Sequence, residues 1–513
     1  MKHTLTIIGL IFILFGQTSC ESDFLDKQPS SQLSSESFWK TEQDVELALT
    51  GVYSTLQQPL ISIRPKDASG RPLNKIAWDA VTDDAYQTFN YGFRQIIDGT
   101  FTASSEGNRG AIHILYETSY KGIQSCNFFL DNIDKVENID AKKIDSWKAE
   151  VHFLRAFFYY HLATVYGDVP LRLEPASIEN QELIKSPQAD IFKQIEDDLI
   201  FAEANLSEKA YDNGHVVRGA ASALLARTYL YQQKYSLAAD TAKKVIDAGS
   251  FDLASDYSSL FMESGQTGNP EIIFSTQFTN APGEAQGVSF EIMIGFWGTL
   301  KPTEGFVNSF EAIDGLPIDE SPIYDSAEPL KNRDPRLTEI VQEGEWNPEI
   351  EQKTLSGYTL IKWTTPETRE SFVQNQSDGT DVVHIRYADV LLMYAEGKIE
   401  SGSVDTSVLD AINEVRARAY GVAVGDTGSY PAITTTDVGE LREAVRNERR
   451  YEFGFEGLRY FDLKRWGIAE EVLNGFYDSH VDANRVFLPK HYKWPLPQSA
   501  IDKNNALEQN PDY

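Results

Sequence analysis

Cys20 is the residue whose type and position most clearly suggest covalent chemistry, because only two cysteines occur in the 513 residues. It follows an apolar run over residues 4–15 and two small residues, Thr18 and Ser19. The run is shorter than the roughly 20 residues that a membrane-spanning helix needs, and it fits the apolar part of a signal peptide. Although Gln17 stands where leucine is usual, we expect Cys20 to become an acylated N-terminus. The alternative is an ordinary signal peptide beside a chance cysteine.

A second candidate for chemistry is VRNERRYEFGFEGLRYFDLKRWG, residues 445–467, which interleaves charges with aromatic rings. Helical spacing allows Arg449 to meet Glu452, and Arg459 to meet Glu456 and Asp462. A nucleic-acid surface is disfavoured because acids match the bases locally and the chain carries a net charge of −31. Between a catalytic acid pair and a packed helix locked to its neighbours by ion pairs, we expect the packed helix.

The motifs of common enzyme classes do not occur in the sequence. It contains no nucleophile elbow, zinc-protease, P-loop or dinucleotide-binding pattern, and no clustered spacing of zinc ligands. A glycosidase needs two carboxylates about 5 to 10 Å apart, but any pair chosen among 77 acidic residues is arbitrary. NQSDGTD, residues 375–381, faintly resembles a calcium loop, yet it lacks the full EF-hand spacing and favours a surface turn. We expect no catalytic residue, metal or cofactor.

The chain divides into a leader, a tether and one large unit. Residues 1–19 are predicted as a lipoprotein signal peptide, residues 20–35 as a lipidated tether, and residues 36–513 as a single domain, since no Gly/Ser-rich or Pro-rich linker interrupts the interior. Cys126 has no partner once Cys20 is acylated. The fold is therefore expected to depend on a large core and not on disulfides.

Paired amphipathic helices are expected to form the scaffold. Residues 145–170 carry apolar side chains at spacings of three and four, and Gly167 and Pro170 end that helix. Residues 216–249 contain two alanine-rich helices joined near Lys234, similar to a tetratricopeptide hairpin of about 34 residues. A further pair is predicted over residues 384–421. Additional helices are predicted over residues 43–57, 112–133 and 188–204.

Two loop-rich regions, about residues 61–110 and 250–380, interrupt the helices. EIIFSTQF and GYTLIKWT within the second region are predicted as strands. The predicted fold class is mainly α: a tetratricopeptide-like scaffold of helical pairs with large loop-rich insertions and a few short strands. Loops held by a rigid scaffold commonly carry function.

Five stretches, taken in chain order, resemble the SusD/RagB family of outer-membrane nutrient-binding lipoproteins. Asp512 in the last of them stands where glycine is more usual. The stretches are FLDKQPSSQLSSESFWKTEQDVELALTGVYSTL, EVHFLRAFFYYHLATVYGDVPL, IRYADVLLMYAE, the charge-dense residues 445–467, and WPLPQSAIDKNNALEQNPDY.

The resemblance implies a protein that is not an enzyme. Members of the family are lipid-anchored on the exterior of the outer membrane, where they cover a SusC-like TonB-dependent β-barrel transporter as a hinged lid. They capture oligosaccharides, or in some members peptides. Acidic residues after the cysteine, Glu21, Asp23 and Asp26, resemble a surface-export tag. A peptide-binding lid and, with less support, a surface glycosidase are the alternatives.

The resemblance places the ligand site in two loop regions, WDAVTDDAYQTFNYGFRQ and SFEIMIGFWGTLKPTEGF. Flat aromatic rings on exposed loops stack on the C–H faces of sugars, while sugar hydroxyls need carboxylates, amides and guanidinium groups. The tyrosine and tryptophan rings are expected to stack on sugar rings, and the charged residues are expected to bind sugar hydroxyls. For Trp78, a position in the core is the alternative. The predicted glycan-binding residues are Tyr86, Tyr91, Trp297, Phe296, Asp84, Arg94 and Trp78.

Overall fold

The computed structural model describes most of the chain after the predicted tether. The described residues are 38–58, 60, 75–88, 92–107, 110–180, 182–279, 290, 294, 298–344, 355–365, 379–478 and 483–513. The predicted signal peptide and Cys20 therefore lie outside the described residues. Among the helices that are described, none has the length and apolarity needed to cross a bilayer.

The α-helices account for the scaffold. The helices of the described residues are α1 (Glu42–Tyr53), α2 (Arg94–Ile97), α3 (Ala111–Asn132), α4 (Ala141–Tyr166), α5 (Gln188–Asn205), α6 (Arg218–Tyr231), α7 (Tyr235–Ala248), α8 (Glu263–Gln266), α9 (Glu304–Ser309), α10 (Arg336–Ile340), α11 (Tyr387–Glu400), α12 (Thr406–Ala419), α13 (Val438–Glu452), α14 (Arg459–Arg465), α15 (Ala469–Asn474) and α16 (Gln498–Ile501).

Short antiparallel ladders connect the loop-rich parts. Each sheet that the structure describes has two strands, and the pairs are β1 with β3, β2 with β6, β4 with β5, and β7 with β8. The strands are β1 (Ala85–Gln87), β2 (Ile272–Thr276), β3 (Leu300–Pro302), β4 (Val341–Glu343), β5 (Tyr358–Leu360), β6 (Val382–Arg386), β7 (Tyr477–Asp478) and β8 (Ala483–Asn484). The two strands predicted from sequence are confirmed as β2 and β5.

Helices that follow one another in the chain pack side by side, so that α3, α4, α5, α6 and α7 form a continuous array that α11, α12 and α13 extend. The predicted hairpins α6–α7 and α11–α12 are confirmed. Residues 149–166 of α4 are buried on nearly all sides, so the helix is enclosed beyond the single apolar face that its spacing predicted. Close approach of α3 to α4 depends on Gly122, because a Cβ there would lie 2.3 Å from the Phe158 ring.

The charge-dense residues 445–467 form α13, α14 and the turn between them, and they are held by buried ion pairs, as expected. The partners, however, come mainly from distant parts of the chain. Arg449 pairs with Asp389 at 2.7 Å and with Asp462 at 2.9 Å, whereas Glu452 pairs with arginines of α10, α12 and β6. The helical-spacing pairs predicted from sequence are replaced by tertiary ones.

Candidate ligand-binding site

The two aromatic segments predicted from the sequence meet in the structure. Strand β1 pairs antiparallel with β3, and Tyr86 lies opposite Lys301. The ladder continues one step further, because the backbone N–H of Thr88 donates to the Thr299 carbonyl at 3.2 Å and the Thr88 hydroxyl donates to the Gly298 carbonyl. Two regions more than 200 residues apart in sequence are thereby joined.

The predicted stacking residues are adjacent in sequence to the residues at the end of this ladder. In the sequence, Phe89, Asn90 and Tyr91 directly follow Thr88, and Phe296 and Trp297 directly precede Gly298. Tyr91, Phe296 and Trp297 lie outside the described residues. Their predicted roles rest on the sequence and on this meeting of the two segments. We call Thr88, Gly298 and Thr299, with the two hydrogen bonds that join them, the ladder end.

The opposite end of the ladder is fixed to the start of α9. The Thr303 backbone N–H donates to the Asp84 carbonyl at 2.9 Å, and its hydroxyl donates to the Asp83 carbonyl at 2.7 Å. The same hydroxyl accepts from the Phe306 backbone N–H at 3.0 Å and so caps the helix. One threonine therefore connects β1, β3 and α9.

Buried carboxylates attach β1 to the charge-dense segment. Arg450 donates from Nε and Nη2 to Asp84 Oδ1, at 2.8 and 2.6 Å, while Arg459 donates to both oxygens of Asp83, at 3.1 and 3.0 Å. Such charge-assisted bonds are about twice as strong as neutral ones. Asp84 is 1% exposed. It therefore lies in an ion pair beneath the ladder and does not face a sugar hydroxyl in this structure.

The Asp83 carboxyl stays charged although it is buried. Burial raises the pKa of Asp83, but the guanidinium groups of Arg450 and Arg459 outweigh that effect and hold the pKa well below its ordinary value. The carboxylate is thus ionised throughout the neutral range, and the arginines keep their partner.

Tyr86 supports the neighbouring loop. Its side chain is 3% exposed, and its hydroxyl accepts a hydrogen bond of 2.7 Å from the Leu355 backbone N–H. The Ser356 hydroxyl donates to the Pro302 carbonyl at 2.6 Å, so residues 355–356 are attached to both strands. The ring of Tyr86 has no free face for stacking in this arrangement.

Trp78 occupies the core, which is the alternative that the sequence left open. Its ring stacks on Tyr460 with centroids 5.4 Å apart and an interplanar angle of 19°, and it lies 5.3 Å from the ring of Trp494. The indole N–H donates to the Leu60 carbonyl at 3.1 Å. Of the described candidates Trp78, Asp84, Tyr86 and Arg94, only Arg94 is exposed, at the first position of α2.

Arg450 and Arg459 were not predicted from the sequence as the partners of β1. A signal was present, because Asp83 and Asp84 stand side by side in a stretch without nearby basic residues while residues 445–467 are rich in arginine. In the part of the chain that the structure describes, no group of three or more His, Cys, Asp or Glu side chains is placed to hold a metal ion.

Comparison with known proteins gives a consistent result across the chain. Residues 270–513 match a model described as the SusD family, and residues 23–230 match one described as starch-binding, associating with outer membrane. A SusD-like protein of Formosa agariphila is 26% identical over 100% of this chain and 100% of its own length. The starch-binding protein SusD of Bacteroides thetaiotaomicron is 23% identical over 76% of each chain.

Solved structures share the architecture. A SusD-like carbohydrate binding protein of Bacteroides fragilis has a TM-score of 0.78 and 29% identity, covering 92% of this chain and 100% of that chain. This match over nearly the whole chain, together with the helical array and the short two-stranded ladders, confirms the predicted fold class.

Proposed function

Because this chain belongs to the SusD/RagB family, we propose that it is a cell-surface lipoprotein that binds oligosaccharide and covers a SusC-like TonB-dependent transporter of the outer membrane. The names of its relatives support carbohydrate as the ligand class: one is called a starch-binding protein and another a carbohydrate binding protein. In this account the protein captures ligand without transforming it, and its binding partner is the β-barrel that imports the ligand.

The observation that carries the proposal is the joining of two aromatic segments at the ladder end. Binding gains from side chains whose supporting structure is already ordered. Here the support consists of β1, β3 and α9, tied to α13 by Arg450 and to the start of α14 by Arg459. Tyr91 follows Thr88 by three residues and Trp297 directly precedes Gly298, so the length of the chain limits how far either can lie from the ladder end.

We assign the stacking contacts to Tyr91 and Trp297, with Phe296 beside them and Arg94 as a hydroxyl partner. Trp78, Tyr86 and Asp84 receive supporting roles, because their side chains are buried. Under this assignment the aromatic rings contact the sugar, while the buried ion pairs of Asp83 and Asp84 support the ladder. This arrangement suits a neutral oligosaccharide, whose recognition combines stacking with hydrogen bonding.

Alanine at Tyr91 or Trp297 is expected to weaken oligosaccharide binding at least tenfold, because truncating an aromatic residue central to an interface typically costs about 2 kcal/mol or more. The oligosaccharide is first identified on a glycan array, and affinity is then measured by titration calorimetry. Phe128→Ala is the matched control, since Phe128 is 42% exposed on α3, and it is expected to leave the affinity unchanged.

Three results contradict this assignment. If both variants keep the wild-type affinity and melting temperature, the oligosaccharide does not bind at the ladder end. Peptides that bind at micromolar concentration while glycans do not identify a peptide-capturing lid. Release of reducing sugar by the pure protein identifies a glycosidase.

Cys20→Ser is expected to release the protein from the outer-membrane fraction. Each buried methylene of an acyl chain contributes about 0.8 kcal/mol to membrane binding, and the variant loses all of them. Mass spectrometry of the mature N-terminus and membrane fractionation measure the effect. Cys126→Ala is the matched control, because Cys126 is a buried free thiol, and that variant is expected to stay anchored. A Cys20→Ser protein that remains in the membrane fraction argues against the lipid anchor.

A further inference from the structure

An open cleft of about 580 Å³ lies between α3, the segment after α4 and the short helix α16. Its size is typical of small-ligand sites. It shares no lining residue with the ladder end. Its lining includes Tyr116, Tyr120, Lys121, Arg172, Ser499 and Lys503.

Two tyrosine rings form one wall of the cleft. The centroids of Tyr116 and Tyr120 are 4.7 Å apart with an interplanar angle of 49°, and both side chains are partly exposed. The Tyr120 hydroxyl donates to the Pro170 carbonyl at 2.7 Å, while Tyr116 packs edge-on against Tyr166 at 5.5 Å. These contacts fix the orientation of the rings, so the wall is ordered before a ligand arrives.

A chain of polar groups lines the cleft. One ring nitrogen of His113, Nδ1, lies 2.7 Å from the Ser499 hydroxyl, and the other, Nε2, lies 2.8 Å from Glu117 Oε2. Lys121 Nζ lies 3.1 Å from the second oxygen of the same carboxylate. Helix α3 and helix α16 are thus connected by hydrogen bonds that also position donors and acceptors along the cleft.

The cleft carries a local excess of positive charge in a chain whose net charge is −31. Lys121, Arg172 and Lys503 line it together with a single carboxylate, Glu117. The guanidinium of Arg172 donates at 2.8 and 2.9 Å to the side-chain and backbone oxygens of Asn180, which are neutral. These bonds orient the guanidinium without neutralising it, which favours an anionic ligand.

We propose that this cleft is a second carbohydrate-binding site, specific for acidic oligosaccharides that carry carboxylate or sulfate groups. A sugar ring stacks on the tyrosine wall, and its acidic group binds Arg172 and the two lysines. The inference rests on the proposed carbohydrate-binding function and adds a ligand class to it. It gives an acidic protein a local means of attracting anionic polysaccharide.

The test uses three probes on the whole mature protein: tetragalacturonate, a sulfated tetrasaccharide and neutral maltotetraose. The charge-reversal variant Lys121→Glu/Lys503→Glu is expected to bind both acidic probes at least tenfold more weakly, and Tyr116→Leu to weaken them similarly. Lys193→Glu/Lys331→Glu, which alters two exposed lysines outside the cleft, is expected to change binding less than twofold. Melting temperatures verify that each variant is folded.

The Tyr91→Ala/Trp297→Ala variant separates this inference from the proposed function. Acidic probes that still bind to that variant support the cleft. If Tyr91→Ala/Trp297→Ala loses binding of the acidic probes while Lys121→Glu/Lys503→Glu keeps it, the cleft is not their binding site. The acidic probes then bind at the ladder end. The inference is also overturned if neither acidic probe binds the wild-type protein at about 5 mM. It is likewise overturned if the cleft binds maltotetraose as tightly as it binds the acidic probes.

Discussion

Arg386→Met is expected to lower the free energy of unfolding by about 3–5 kcal/mol, because removal of one partner leaves buried charges without compensation. The guanidinium of Arg386 bonds to Glu271 and Glu452 at 2.6 Å each, and to both oxygens of Glu456 at 2.8 and 3.0 Å. All four residues are almost completely buried. Methionine replaces the volume of the arginine stem but supplies none of these bonds.

The cost of Arg386→Met is also expected to depend on pH. Burial raises the pKa of Glu452, but Arg418, Arg386 and Arg336 outweigh it and hold the pKa below its ordinary value. A carboxylate with a lowered folded-state pKa stabilises the protein above its unfolded-state pKa, and that contribution is lost as the pH falls. The difference in free energy of unfolding between the wild type and Arg386→Met is therefore expected to become smaller as the pH falls.

Chemical denaturation at pH 7 and at pH 4 measures both effects. Arg218→Met is the matched control, because Arg218 pairs with Glu208 on the surface, where the two side chains are 37% and 52% exposed. Exposed pairs contribute less than about 1 kcal/mol. An Arg386→Met variant that loses no more stability than this control contradicts the role assigned to the buried ion pairs.

Lys464→Met is expected to raise the free energy of unfolding at pH 7, by at most about 5 kcal/mol. Burial, and secondarily the charge of Lys493, lowers the pKa of Lys464 from 10.5 to about 7, and each pKa unit corresponds to about 1.4 kcal/mol. The ammonium donates to the Thr164 carbonyl at 2.7 Å. That carbonyl also accepts from the Tyr231 hydroxyl at 2.9 Å, so it keeps a partner in the variant.

The sign of the effect follows from proton binding. Between pH 7 and 10.5 the unfolded chain holds a proton on Lys464 that the folded protein releases, so wild-type stability rises with pH across this range. The stabilisation by methionine is therefore largest at and below pH 7 and disappears near pH 10.5. Thermal and denaturant unfolding at pH 7 and pH 10 measure it, with exposed Lys331→Met as the control. A destabilised Lys464→Met protein at pH 7 refutes the argument.

The helical scaffold was predictable because its signals are local. Apolar spacing and helix-ending residues define α4, and the alanine-rich hairpin of α6 and α7 is recognisable within 34 residues. The strands β2 and β5 were predictable for the same reason, since each is a short run of apolar or β-branched residues. Pairing between β1 and β3, by contrast, was not visible in either segment alone.

The base of the candidate site depends on long-range contacts that no local pattern encodes. The bonds between Asp83 and Arg459 join residues 376 positions apart. The sequence shows that Arg459 lies in a charged segment. Helical spacing, however, predicts only contacts with residues one or two helical turns away. The partner is fixed only when β1 is brought against α14 by the packing of Trp78 on Tyr460.

Burial was the second quantity that the sequence left undetermined. Trp78 and Tyr86 belong to the same aromatic stretch as Tyr91. Whether a ring of this stretch faces the core or solvent depends on the pairing of β1 and on the anchoring of Asp84 by Arg450. The aromatic composition therefore marks the stretch but does not determine which of its side chains are buried.

A crystal structure of the protein with its array-identified oligosaccharide tests the central claim most directly. The account predicts sugar rings within about 4 Å of Tyr91 and Trp297, beside the ladder end, with contact distances typical of apolar packing. A sugar bound elsewhere on the molecule, with Tyr91 and Trp297 making no contact to it, contradicts the account.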